Sequence, residues 1–271
     1  MIRFLSFTSG SCGNCSYLGY EPEDGGRPYG ILIDAGISLR RMNAILRSHN
    51  LSFESVDAVL ITHDHGDHIR NLGSYCKKLS LPVWATADLH DALSHHYLTR
   101  DYIAPCRRDF VPGEENEVAP GIFVRYFVVP HDATETVGFR IEMPDGHRFV
   151  LMTDLGHVTP EAMAFAREAE TLVIESNYDV DMLFGGDYPY VLKMRIAQTA
   201  HLSNDACAEA VRKAWHPGLR NLFLCHLSGN NNTPSLALAA TRAALEGIGV
   251  DPASVRLRVL PRAEATPLLN L

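Results

Sequence analysis

Short apolar runs punctuated by Gly, Pro, Asp and Asn dominate the chain, and their lengths and spacing predict strands in two separate series. The first contains IRFLSF (2–7), SYLGY (16–20) and GILIDAG (30–36), with the Gly-rich EPEDGGRPYG as a hairpin-like connection between the last two. VDAVLITH (56–63) and LPVWAT (81–86) continue it. The second contains GIFVRYFVVPH (121–131), ETVGFRIEM (135–143) and HRFVLMTD (147–154), then TLVIESN (171–177), NLFLCHLS (221–228) and VRLRVL (255–260). Between these runs the apolar period becomes that of a helix: Leu39, Met42, Ile45 and Leu46 follow Ser38, and IRNLGSYCKKL and HDALSHHYL are spaced alike. Three later helices carry start signals: Thr159 before Pro160, Ser203 before NDACAEAVRKAW (ended by Pro217 and Gly218), and Thr233 before Pro234. Two strand series, each accompanied by helices, predict an α/β protein with two sheets face to face and helices outside.

No repeat, low-complexity tract or linker divides the 271 residues, so one domain spanning residues 1–271 is expected. The longest apolar runs, such as AVLI and TLVI, are far short of the roughly 20 residues that cross a bilayer, and no membrane association is expected. The apolar stretch near the N-terminus is too short for the core of a signal peptide, which predicts a cytoplasmic protein. Cysteines at 12, 15, 76, 106, 207 and 225 are scattered, and reduced thiols are expected. The pair in SGSCGNC has no second CxxC with which to build a zinc ribbon. A formal net charge of −8 argues against a nucleic-acid surface built on bulk positive charge. A polyanionic substrate would need local cations, which bound divalent metals could supply.

Such metals are suggested by HDHGDH (63–68), which directly follows an apolar strand. In a helix His63 and His65 would point about 200° apart, whereas at a strand end residues i and i+2 share one side. Gly66 lets the chain turn, so that Asp67 and His68 can address a second ion nearby. Neither half of the hexapeptide closes a site alone. His131, Asp154 and His226, each at the end of an apolar strand, are the remaining candidates, with Asp154 suited to bridge two cations. Five ionisable groups so close together would be electrostatically costly without a counter-ion. Isolated histidines such as His90, His95, His96 and His216 read instead as surface or hydrogen-bonded residues.

The HxHxDH spacing of His63, His65, Asp67 and His68, with LIDAG before it and a His, an Asp and a His after it, resembles the metallo-β-lactamase-fold hydrolases. SGSCGN, PHDA, TDLG, IESNYD, AHLSN and CHLSGNNNTP resemble the YycJ/WalJ-type bacterial exonucleases within them. The resemblance implies a four-layer αββα sandwich with the site at the edge shared by its sheets. His63, His65 and His131 would hold one divalent metal and Asp67, His68 and His226 the other, with Asp154 between them and Asp34 supporting the ligand loop. Zn²⁺ or Mn²⁺ would suit these ligands, and Fe²⁺ also. A hydroxide held between the metals would make the protein a metal-dependent phosphodiesterase or nuclease, a 5′-to-3′ DNA exonuclease by resemblance. Asp67 and His201 are then the catalytic candidates, His201 as general acid. Asn177, Ser203 and Asn231 are candidate contacts to a nucleic acid substrate, with a helix cap as the other reading of Ser203. The basic residues Arg40, Arg41, Lys77, Lys78, Arg107, Arg108, Lys193 and Arg195 could form a backbone track or simply a solvated face. The same ligands would also serve a small-molecule hydrolase acting on a thioester, lactone or cyclic phosphate, favoured by a narrow pocket without a basic groove. A non-catalytic metal-bound binding module is the third reading.

Overall fold

In the computed structural model, which describes residues 1–271, the central strands are apolar on both faces, and that property stacks four layers. The first sheet contains β1 (Ile2–Gly10), β2 (Gly13–Tyr20), β3 (Tyr29–Ile33), β4 (Ala58–Leu60), β5 (Val83–Ala85) and β6 (Arg107–Asp109). The second contains β7 (Asn116–Ala119), β8 (Ile122–Val129), β9 (Thr136–Glu142), β10 (Arg148–Met152), β11 (Thr171–Glu175), β12 (Asn221–Cys225) and β13 (Arg256–Val259). Strand β14 (Leu269–Asn270) returns to pair with β1. Neighbours run in the order β14-β1-β2-β3-β4-β5-β6 and β13-β12-β11-β10-β9-β8-β7. Each sheet therefore has an antiparallel half, and a parallel half formed by β3 to β6 or by β10 to β13.

Alternation along each strand sorts the side chains between layers. Ile31, Ile33, Ala58 and Leu60 face the second sheet, where Phe149, Leu151, Val173 and Phe223 meet them. Leu32, Val59 and Ile61 face outward under α1 (Leu39–Ser48), α3 (Leu72–Leu79) and α4 (Ala87–His95), and a single turn, α2 (Gly66–Ile69), precedes α3. On the other side Val150, Met152, Leu172 and Leu222 pack under α5 (Pro160–Ala166), α8 (Asn204–Ala214) and α9 (Pro234–Glu246). The α/β/β/α sandwich expected from the sequence is the observed architecture. Ser38, Thr159, Ser203 and Thr233 all cap their helices through the side-chain oxygen. No helix is long and apolar enough to cross a membrane.

Five elements differ from the sequence pattern: β6, β7, β14, α6 (Val180–Gly185) and α7 (Tyr190–Arg195) were not anticipated. The first three are two to four residues long, and β6 reads Arg-Arg-Asp, a charged edge strand without apolar alternation. Gly185, Gly186 and Pro189 split residues 180–195 into pieces too short to show a helical period.

Phe4 of β1 joins the sheets: its ring lies 5.3 Å from that of Phe149 and 5.5 Å from that of Phe223, and it is fully buried. Phe4→Ala should therefore cost about 3–5 kcal/mol. Denaturant unfolding checks this, and a loss below about 1 kcal/mol would mean that the inter-sheet core repacks.

Candidate metal centre

The candidate side chains emerge at carboxyl ends of strands, the usual position for sites in open α/β sheets. Asp34 follows β3, residues 62–68 follow β4, His131 follows β8, Asp154 follows β10, Glu175 ends β11 and His226 follows β12. Asp34, Asp154 and His226 turn into the left-handed region, with φ of 63°, 55° and 52°. For residues other than glycine that conformation costs roughly 1–3 kcal/mol, so its recurrence at three neighbouring strand ends marks a place where strain is retained.

Polar partners tie one nitrogen of each imidazole and leave the other facing its neighbours. His68 Nδ1 donates to Asp34 Oδ2 at 2.8 Å, His131 Nδ1 to the Ala200 carbonyl at 2.6 Å, and His226 Nδ1 to Glu175 Oε1 at 3.0 Å. His65 Nε2 donates to the Asp132 carbonyl at 3.2 Å. Thr62 Oγ1 donates to Asp34, which leaves the hydroxyl oxygen to accept from His63 Nδ1 at 3.0 Å. The opposite nitrogens converge. His65 Nδ1 and His131 Nε2 are 3.3 Å apart, and His68 Nε2 lies 3.4 Å from Asp154 Oδ2 and 3.6 Å from Asp67 Oδ2.

Four groups of potential ligand atoms result, with the atoms of each within 4.8 Å of one another: His63, His65 and His131; Asp67, His68 and His226; His63, His68 and Asp154; and Asp154, Glu175, His201 and His226. Asp154 lies between, because its other oxygen is 3.3 Å from His226 Nδ1. All seven residues proposed from the sequence as metal ligands are thus brought together, although the last of them follows the first by more than 160 positions in the chain. The donors fit a divalent cation. His63 Nε2 and His226 Nε2 are buried with no protein partner, a costly state for a ring nitrogen unless an ion takes up its lone pair. Burial, reinforced by the neighbouring imidazoles, holds His63 well below the usual histidine range, so the ring is neutral and able to ligate. No cysteine belongs to these groups, and all six are free thiols.

Two further residues belong to this centre. Glu175 is fully buried: Oε1 accepts from His201 Nδ1 at 2.8 Å as well as from His226, and Oε2 accepts from the Leu155 and Leu202 amides. Burial opposes its ionisation, yet His201 and His226 hold its carboxyl below the usual range. Asn14 Nδ2 donates to Asp67 Oδ2 at 3.0 Å and lies 2.9 Å from His68 Nε2. Gly36 makes the approach possible, since a Cβ there would stand 2.0 Å from the Asp67 carbonyl oxygen and 2.4 Å from the Asn14 nitrogen. The carboxylate that ends TLVIE was the available signal for Glu175; Asn14, in a Gly- and Ser-rich turn, offered none.

A cavity of about 270 Å³ opens over the centre, with His65, Asn177, Tyr188, Arg195, His201 and His226 on its wall. His201 follows a single π turn (Ile196–Ala200), closed by the bond from the His201 amide to the Ile196 carbonyl. Burial disfavours its charged form, but Glu175 outweighs that and raises its pKa. Asn177 also lines the cavity while its side-chain amide donates to the His226 carbonyl at 2.8 Å. Ser203 and Asn231 are not on this wall. Ser203 Oγ accepts from the Ala206 amide as the cap of α8, and Asn231 borders an adjoining cleft with Tyr188 and Asn230. Nor do the basic residues converge on it: Arg195 alone of them reaches the cavity, paired with Asp132. Arg107 pairs with Asp91 and Asp109, and the Lys193 ammonium donates to the Phe184 and Gly186 carbonyls.

The beta-lactamase superfamily domain matches residues 29–226, a span from β3 to the last candidate ligand. Exodeoxyribonuclease YycJ of Bacillus anthracis is 32% identical over 255 residues, 93% of each chain. Exodeoxyribonuclease WalJ of Streptococcus pneumoniae is 32% identical over 255 residues, 92% of each chain. The metallo-β-lactamase fold protein YhfI from Bacillus subtilis superposes with a TM-score of 0.68 at 18% identity, covering 98% of this chain and 99% of that one, a likeness of fold. Two packed sheets with a histidine and aspartate centre at their shared edge define a metallo-β-lactamase-fold protein. The chain belongs to the beta-lactamase superfamily domain family and is of the YycJ/WalJ type.

Asp34→Asn keeps a residue type that tolerates the left-handed backbone but removes the charge that orients His68 and Thr62. Metal affinity should fall about 10- to 100-fold with the fold retained. Competition with a chelator measures this, and unchanged affinity would show that Asp34 does not set the His68 ring.

Proposed function

We propose that the protein is a metal-dependent exodeoxyribonuclease that degrades DNA 5′ to 3′ with two divalent cations, Zn²⁺ or Mn²⁺ or alternatively Fe²⁺, as cofactors. The observation that carries this reading is the convergence of unpaired imidazole nitrogens and carboxylates beneath an open cavity, in a chain alike over nine-tenths of its length to two exodeoxyribonucleases. Bound there, the cations supply Lewis acidity and lower the pKa of a water molecule towards neutrality. His63, His65 and His131 would hold one and Asp67, His68 and His226 the other, with Asp154 between the two sets. The protein acts in the cytoplasm, a reading supported by its six free thiols.

The chain's own groups supply the rest. Asp67 accepts a proton from the attacking water while Asn14 holds its carboxylate in place. His201 is turned by the bond between its Nδ1 and Glu175, so that Nε2 is free to pass a proton to the leaving oxygen. Arg195 and Asn177 face the cavity as donors to phosphate, which position the strand without reading its bases.

Purified protein with Mn²⁺ or Zn²⁺ should shorten DNA labelled at either end, releasing the 5′ label first. Asp154→Ala should lose both cutting and bound metal; a variant that went on cutting would place the chemistry elsewhere. His201→Asn should keep its metal but lose about 10²- to 10⁴-fold in kcat on DNA. On a p-nitrophenyl phosphodiester, whose leaving group needs no proton, the loss should be much smaller. Equal losses on both substrates would make His201 a structural residue.

A further inference from the structure

The bulk charge of this protein opposes a polyanion, and of the basic residues picked out by their sequence pairing only Arg195 reaches the cavity, while Arg107 and Lys193 are tied up elsewhere. One guanidinium with a different character packs on two glycines whose chain neighbours line the cavity. Arg262 follows β13, and its backbone is fixed to β1: Thr8 Oγ1 donates to the Arg262 carbonyl at 2.7 Å, and the Ser9 amide to the Pro261 carbonyl at 3.1 Å. Its stem packs on Gly10, where a Cβ would stand 3.4 Å from Arg262 Cγ. Its head lies over Gly229, where a Cβ would come within 2.1 Å of Nη2 and 2.5 Å of Cζ. Any other residue at 229 would displace the guanidinium.

The neighbours of those glycines, Ser11 and Ser228, line the cavity over the metal centre. Ser9 ties the same point to a candidate ligand, since its hydroxyl oxygen accepts from the His226 amide at 2.9 Å. Arg262 is exposed, and its five N–H donors have neither a carboxylate nor a hydrogen-bond acceptor within the protein. Arg70 stands on the other flank of the Gly10–Gly13 turn, held by a bond from Nη1 to the Cys12 carbonyl at 3.2 Å and likewise without a carboxylate. An arginine anchored through its backbone and packed on two glycines beside the cavity wall, with its donors unspent, has the form of a phosphate anchor.

We propose that Arg262 binds a backbone phosphate of the DNA strand next to the scissile one, with Arg70 taking a further phosphate on the other flank of the Gly10–Gly13 turn. The anchor rests on the nuclease reading above and names residues that hold its substrate. It positions the strand and takes no part in bond breaking.

The test is steady-state cleavage of single- and double-stranded DNA by the metal-loaded protein at salt concentrations from about 50 to 200 mM, the range over which phosphate contacts weaken steeply. Arg262→Ala should raise KM about tenfold with a far smaller change in kcat, and should reduce the slope of log KM against log salt by about one. Arg262→Lys should recover part of the KM, because the charge remains while the two-pronged geometry is lost. Arg242→Ala, which removes the same charge from α9, outside the cavity wall, is the control. Melting temperature and metal content, measured on each variant, separate binding from folding. If Arg262→Ala leaves KM and the salt slope unchanged in a protein that cuts DNA, or changes them no more than Arg242→Ala does, the anchor is wrong and the nuclease reading stands. A wild-type protein that cuts no DNA overturns that reading and the anchor with it.

Discussion

Asp34 has almost no access to water, yet its carboxylate accepts from the Thr62 amide and hydroxyl and from His68 Nδ1. Through Thr62 it also determines which nitrogen of His63 carries the proton. Across the gap between the sheets, Glu175 does for His201 and His226 what Asp34 does for His68. One buried carboxylate at the end of a parallel strand in each sheet thus fixes the imidazoles on its own side. The two sets meet at Asp154, which contacts both. A ring that could rotate or exchange tautomers would present a proton where a lone pair is required, so the geometry of the centre is only as definite as these two anions make it.

Anions buried this deeply are costly unless balanced. Here the balance comes partly from imidazole donors and backbone amides, and the convergent unpaired nitrogens offer a place where a cation would complete it. Packing of the sheets makes the arrangement possible. Phenylalanines from both sheets fill the inter-sheet layer and hold the strand ends in register, while left-handed residues at three of those ends accept conformational cost to turn the chain across the edge.

Much of this was legible in the sequence, for definite reasons. Long strands buried on both faces leave uninterrupted apolar runs, helices with Ser or Thr caps announce their first residue, and a ligand hexapeptide after a strand fixes its own geometry by spacing. Of the seven proposed ligands, His63, His131, Asp154 and His226 each follow an apolar run, and His65, Asp67 and His68 stand out by their spacing within the hexapeptide. What escaped notice lacked such contrast. Glu175 is a single carboxylate whose importance lies in two bonds to residues 26 and 51 positions later, and Asn14 looks like any turn residue. Arg262 lies in a tail with no apolar pattern, and its setting is made by glycines at 10 and 229 that meet only in the fold. Pairs of basic residues, conspicuous in the sequence, proved to be mostly engaged locally. Adjacency along the chain is a poor guide to convergence in space.

The π turn before His201 carries a less obvious implication. Its wider loop brings the Ala200 carbonyl to His131 and sets the His201 ring against Glu175, while Thr199 lies so close to Gly156 that a Cβ there would be 2.6 Å from its carbonyl oxygen. Deleting one residue from 196–200 would restore ordinary helical winding and rotate everything after it by about 100°. The number of residues in this stretch is therefore information in itself, independent of their identity. A deletion here would unbuild this wall of the cavity even with every ligand preserved.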